Sequence, residues 1–175
     1  MSNTSTFQCS QCGEMHAGMP DLAFASPLQY FEMPEAERAQ RCLLTSDTCI
    51  IDGQDRFIRG CLEIPILASD DLFMWGVWVS LSERSFNRYQ ELYESEERDL
   101  EGPYFGWLSN RLPGYPDTLN LKTNVHLRPY PTRPRIELEP TDHSLAVDQR
   151  VGIDHFRVKE LVELGIHEAF KRHSS

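Results

Sequence analysis

The clearest pattern of apolar and polar positions lies at residues 119–128. Leu119, Leu121, Thr123, Val125 and Leu127 take one parity, and Asn120, Lys122, Asn124, His126 and Arg128 take the other. Period-two alternation predicts a strand with one buried and one solvated side. Residues 72–81 are apolar on both parities, with Phe73, Trp75, Val77, Val79 and Leu81 on one and Leu72, Met74 and Trp78 on the other. That pattern predicts a central strand buried on both faces. Two β-rich stretches flank Asp52-Gly53, which predicts a hairpin from Thr48 through Phe57-Ile58. Cys61 to Leu67 extends this strand, with Pro65 marking an edge or bulge. Further strands are expected at 104–108 and 135–139, and 19–30 reads as loop.

Helix signals are interleaved with these strands. Pro34 followed by Glu35 and Glu37 predicts a helix over about 34–44. Ser82 is placed to cap a helix over 83–93 with Phe86, Tyr89 and Tyr93 on one face, and 94–101 reads as a solvated acidic turn. Ser144 is placed to cap a helix over 145–151, and Asp154 to cap a final helix to about 171, with Val158, Leu161, Val162, Gly165 and Ala169 as its stripe. The order predicts an α+β fold: a single domain over 1–175, mainly antiparallel sheet with flanking helices, an N-terminal Cys-x-x-Cys knuckle, and residues 1–6 frayed.

Charge narrows the partners. The 175 residues carry 17 Lys and Arg against 27 Asp and Glu, a formal net charge of −10. Nucleic-acid binding rests on neutralising phosphates, so no nucleic-acid partner is expected. The longest apolar stretch falls far short of the ~20 residues of a membrane-spanning helix, so no membrane partner is expected. The N-terminus has the features of no signal peptide, which places the expectation in the cytoplasm. A protein partner or a small anionic ligand remains.

Candidate chemistry centres on cysteine. Cys9-Ser-Gln-Cys12-Gly13 has the spacing with which two thiolates bite one tetrahedral zinc, and the following glycine suits the tight turn. An odd count of five cysteines argues against a disulfide framework. A hairpin turning near residues 53–55 would set Cys49 opposite Arg59, with Cys61 one pair further out, so that Cys9, Cys12, Cys49 and Cys61 form a four-cysteine structural zinc site. His16 is the other contender. Against this stands the reading of Cys49 and Cys61 as small core hydrophobes, and of Cys9 and Cys12 as a redox pair.

The weaker candidates are polar. Asp142-His143 is an acid–imidazole pair, but neighbouring residues point apart, and Asp142 suits a turn or cap. Arg128, Arg133 and Arg135 with Lys122 and His126 offer a local positive patch suited to carboxylate or phosphate, unless they pair with Glu137 or Glu139. Trp75 and Trp78 fit core packing better than a pocket wall. No Walker loop, dinucleotide fingerprint, nucleophile elbow or zincin motif occurs, and no catalytic residue is assigned.

Several motifs together resemble one family. They are Cys9-Ser-Gln-Cys12-Gly13, Asp47-Thr-Cys49-Ile-Ile-Asp52, Phe57-Ile-Arg-Gly60 with Leu62-Glu-Ile-Pro65, Trp75-Gly-Val-Trp-Val-Ser80, Gly102-Pro-Tyr-Phe-Gly-Trp-Leu108 and Thr141-Asp-His-Ser-Leu-Ala-Val-Asp-Gln149. The chain is similar over nearly its whole length to the bacterial domain of unknown function 2199. The resemblance implies a single-domain, mostly prokaryotic protein and carries no assigned activity. It is consistent with a site shared by Cys9, Cys12 and Cys49. The leading expectation is a small binding or interaction domain braced by one structural zinc. The alternatives are a small-molecule, hydrolase-like enzyme using His126 or His143 beside Arg128 and Arg135, and a Cys-x-x-Cys redox sensor.

Overall fold

A computed structural model describes residues 6–8, 13, 15–17 and 22–173. It contains both helices and strands, as the sequence predicts. A small antiparallel hairpin, β1 (Thr6–Gln8) with β2 (Met15–Ala17), stands as its own two-stranded sheet. All other strands among the described residues form one eight-stranded sheet: β3 (Leu22–Ala23), β4 (Cys42–Leu44), β5 (Thr48–Ile51), β6 (Asp55–Pro65), β7 (Leu72–Leu81), β8 (Tyr104–Leu108), β9 (Lys122–His126) and β10 (Arg135–Leu138).

Five of these strands close into a barrel. β6 to β10 run as an antiparallel meander, each pairing with the next. An odd meander leaves its first and last strands pointing the same way, so closure requires a parallel contact. That contact is a single register pair, Arg135 with Cys61. The sheet is therefore not purely antiparallel, and β3 adds a second parallel pairing, onto Trp75–Gly76 of β7. β3 lies so close that a Cβ on Gly76 would sit 2.8 Å from Ala23 Cβ. β5 and β4 extend the sheet from the first half of β6.

The barrel interior is filled from alternate positions. Ile58, Leu62 and Ile64 of β6 meet Phe73, Trp75, Val77 and Val79 of β7, Leu108, Val125 and Ile136, and all are buried. The opposite face of β7 departs from its expected burial. Trp78 is covered, and its indole N–H donates to Phe24 O at 2.9 Å, but Leu72 and Met74 are exposed. An apolar run thus covers a strand that is central at one end and solvated at the other.

Among the described residues five α-helices surround this sheet: α1 (Leu28–Phe31), α2 (Glu35–Arg41), α3 (Glu83–Glu91), α4 (Ser144–Val151) and α5 (His155–His173). Ser82 caps α3, its hydroxyl accepting from Ser85 N, and Asp154 Oδ1 accepts from Arg157 N at the start of α5. Three expectations are corrected. The helix expected over 34–44 ends at Arg41, because Cys42–Leu44 pairs with β5 as a strand. The stretch 19–30, expected as loop, contributes β3 and the start of α1. Within the segment expected as a solvated acidic turn, Arg98 is only 2% exposed.

Candidate ligand-binding site

On β6, Arg59, Cys61 and Glu63 alternate with the core residues and face out of the barrel. β10 and the segment leading into it bring further arginines to this face. Arg128 Nη1 donates to Glu63 Oε1 at 2.7 Å, and its Nε to Arg133 O at 2.7 Å. Arg133 Nε donates to Asp47 Oδ1 at 2.7 Å. Asp47 sits in the β4–β5 turn, where its carbonyl accepts from Arg59 N at 2.9 Å. Its second carboxylate oxygen accepts from Ser46 Oγ at 2.6 Å and Tyr93 Oη at 3.1 Å.

Arg98 underpins this arrangement. Its guanidinium donates to the carbonyls of Arg128, Tyr93 and Thr132 at 2.5–2.7 Å and lies 5.8 Å from the ring centroids of both Tyr93 and Tyr130. A cation so completely buried is tolerated because three dipoles and two aromatic faces replace its water. It pins the segment carrying Arg128 and Arg133 against the end of α3.

Arg59 differs from its neighbours. Its Nε is buried and, among the described residues, has no hydrogen-bond partner. Burial depresses its pKa and the positive charge of Arg133 adds to that, while Asp47 and Cys61 act in the opposite sense. Three guanidiniums, Arg59, Arg128 and Arg133, therefore face two carboxylates, Asp47 and Glu63, on a chain of net charge −10. Burial would raise the Asp47 carboxyl, but the hydrogen bonds from Ser46 and Arg133 outweigh it and hold the group low. Burial pushes the Cys61 thiol up despite Arg128 and Arg133.

An open cleft of about 350 Å3 adjoins the arginines, lined by Thr45, Ser46, Asp47, Thr48, Gln90 and Tyr93. Asp47 links the two regions. Sequence reading missed Asp47, Arg59, Arg98 and Tyr93 as site residues. The signal present was an arginine on the solvated parity of a buried strand, flanked by Phe57-Ile58 and Gly60.

The candidates named from sequence are dispersed. His126 Nε2 lies 2.5 Å from Glu137 Oε2 on the outer face of β9 and β10, and Arg135 Nη2 lies 3.7 Å from the same carboxylate oxygen. His143 is the N-cap of α4: its Nδ1 accepts from Leu145 N at 3.2 Å, and its Nε2 lies 3.3 Å from Asp117 O. His126 and His143 thus have separate partners, and of the polar set Arg128 and Arg133 join the Arg59 cluster.

Cys9 and Cys12 lie outside the described residues. Cys49 pairs with Phe57 and not with Arg59, because the hairpin turns one residue earlier, over Asp52–Gln54. Cys49 and Cys61 share a face but stand four residues apart along the strand, about 13 Å at the usual rise. One zinc with Zn–S bonds of about 2.3 Å cannot reach both, so the four-cysteine set does not close. Cys49 is fully buried, and burial pushes its thiol up to about 12. Among the described residues, no group of three or more His, Cys, Asp or Glu is placed to hold a metal ion. No helix among them is long and apolar enough to cross a membrane.

Fold and site define an α+β protein built on a five-stranded barrel with an arginine-rich outer face. The chain belongs to the family described as "Uncharacterized protein conserved in bacteria (DUF2199)", which matches residues 8–153. That family is of unknown function. No curated protein and no solved structure matches the chain.

Proposed function

We propose that the chain is a binding domain for a small anionic ligand, held on the outer face of the barrel by Arg59 and Arg133. The observation carrying this reading is the Arg59 guanidinium, half-buried beside a second arginine, with its Nε unpartnered among the described residues. A buried donor left unmade costs about 1–3 kcal/mol. A planar guanidinium is suited to recover that cost from an oxyanion. Calorimetric titration with inorganic phosphate tests it. Saturable binding that is lost in Arg59→Gln is expected, and equal binding by the two proteins overturns the reading.

A second reading concerns zinc at Cys9 and Cys12, with at most one of Cys49 and Cys61 among the remaining ligands. The β1–β2 hairpin supports it: the loop it closes carries both cysteines, Gly13 adopts φ +74°, and Gln8 Nε2 donates to Gly13 O at 3.1 Å. A following glycine in this left-handed conformation suits the turn of a metal knuckle. Metal analysis of the purified chain is expected to give one zinc per chain, lost in Cys9→Ser and Cys12→Ser. A value below a tenth of a zinc overturns it.

A further inference from the structure

We infer that the ligand is a sugar phosphate, its phosphoryl group between Arg59 and Arg133 and its hydroxylated body in the cleft between Thr48 and Gln90. This deepens the anion-binding reading and rests on it.

The phosphoryl end follows from the donors on offer. Arg59 makes no side-chain hydrogen bond among the described residues; its Nε is buried, so its terminal nitrogens are the donors it can offer a ligand. Arg133 spends Nε on Asp47, and its terminal nitrogens make no hydrogen bond among the described residues. Two guanidinium edges present more donors than the two oxygens of a carboxylate accept in plane, whereas a phosphate monoester offers three terminal oxygens.

The hydroxylated body follows from the cleft. Thr45 Oγ1 and Thr48 Oγ1 bond each other at 2.9 Å, and Thr45 Oγ1 also accepts from the N–H groups of Asp47 and Thr48. Thr48 Oγ1 keeps capacity for a further partner. The exposed Gln90 amide makes no hydrogen bond among the described residues and offers both donor and acceptor. Tyr93 also lines the cleft, its hydroxyl donating to Asp47 Oδ2. Asp47, the one charged lining residue, is already paired with Arg133, so the cleft favours neutral hydroxyls over a second ion. Because Asp47 contacts Arg133 through one oxygen and Tyr93 and Ser46 through the other, anion site and cleft are adjacent parts of one surface.

Calorimetric titration of the full chain with glucose 6-phosphate, ribose 5-phosphate, inorganic phosphate and glucose tests the inference. At least one sugar phosphate is expected to bind ten-fold or more tightly than inorganic phosphate. Gln90→Ala and Thr48→Val are expected to remove that advantage while leaving inorganic phosphate binding unchanged. Arg59→Gln is expected to weaken both ligand types at least ten-fold, with unaltered circular dichroism. If inorganic phosphate and both sugar phosphates bind equally and all require Arg59, the sugar assignment is overturned and the anion site stands. If no ligand binds, or Arg59→Gln changes nothing, both fall.

Discussion

Gln149 Oε1 accepts a hydrogen bond from the backbone N–H of Leu138 at 2.8 Å. Its Nε2 donates to Ile136 O at 2.8 Å and lies 3.4 Å from Glu63 O. Gln149 belongs to α4, so a helix side chain lies in the seam where β10 parts from β6 after their single register pair. A primary amide carries one carbonyl and one N–H edge, as a peptide unit does, and so continues the ladder that the strands themselves abandon. The other break in the sheet is handled alike. Where β8 gives way to β3 along β7, Asn110 Oδ1 accepts from Trp78 N at 2.7 Å and its Nδ2 donates to Ser26 O at 3.0 Å.

Gln149→Leu is therefore expected to destabilise the chain by about 2–6 kcal/mol, since it strands one backbone donor and one acceptor at about 1–3 kcal/mol each. Urea unfolding at unchanged m-value measures it. A loss below about 0.5 kcal/mol, the scale of ordinary surface substitutions, shows that water replaces the amide.

The cap of α4 separates two neighbouring residues. His143→Ala is expected to cost about 1 kcal/mol, the usual worth of an N-cap, because it removes the acceptor for Leu145 N. Ser144→Ala is expected to stay within about 0.5 kcal/mol, since Ser144 Oγ is buried and has no hydrogen-bond partner among the described residues. The same unfolding measurement ranks the two, and the reverse order refutes the assignment of the cap.

These cases mark the limits of what the sequence discloses. Alternation placed Thr123, Val125 and Leu127 inward and His126 and Arg128 outward, and both cap and turn chemistry located α3, α5 and the β5–β6 hairpin. Local signals do not encode what depends on strands meeting across the fold. Cys42–Leu44 became a strand because β5 was available to pair, against a helix-compatible neighbourhood. Cys49 took Phe57 as its partner because the turn closed one residue earlier than expected, and that shift separates Cys49 from Cys61. Asp47 and Arg133 lie 86 residues apart in the chain, and Arg59 acquires meaning as a site residue only when the parallel closure brings the segment before β10 onto its face. Asp142-His143 reads from sequence as an acid–imidazole pair, yet in the fold His143 caps a helix, and Gln149 of the same stretch fills the barrel seam.

Arg98 offers a test of how the arginine face is held. Its three carbonyl acceptors come from three different residues of two segments, so Arg98→Met leaves all of them without this donor in a dry environment. The expected loss is at least about 3 kcal/mol, read by thermal or urea unfolding. Arg98→Lys is expected to recover less than half, because an ammonium keeps the charge but lacks the planar fork. Full rescue by lysine means that charge over the Tyr93 and Tyr130 rings matters, and the forked geometry does not.

The Asp47–Arg133 pair predicts a pH dependence with a definite sign. The folded-state carboxyl of Asp47 lies below its ordinary value despite its burial, because Ser46 and Arg133 bind the ionised form. The folded protein therefore holds its proton less tightly than the unfolded chain. The stabilisation is fully present above the unfolded carboxylate value, near 4, and is lost as pH falls through the lower folded value. Asp47→Asn is expected to lower stability at pH 7 by about 1–3 kcal/mol, the range for hydrogen bonds to a charged group, and to lose progressively less as the pH approaches 3. Arg133→Gln is expected to reproduce part of that pH dependence, and the double variant to lose less than the sum of the two. Unfolding free energies of the four proteins between pH 3 and 7 measure the coupling. Additive losses at every pH mean that the two side chains act independently and that the carboxylate is held by Ser46 and Tyr93 alone.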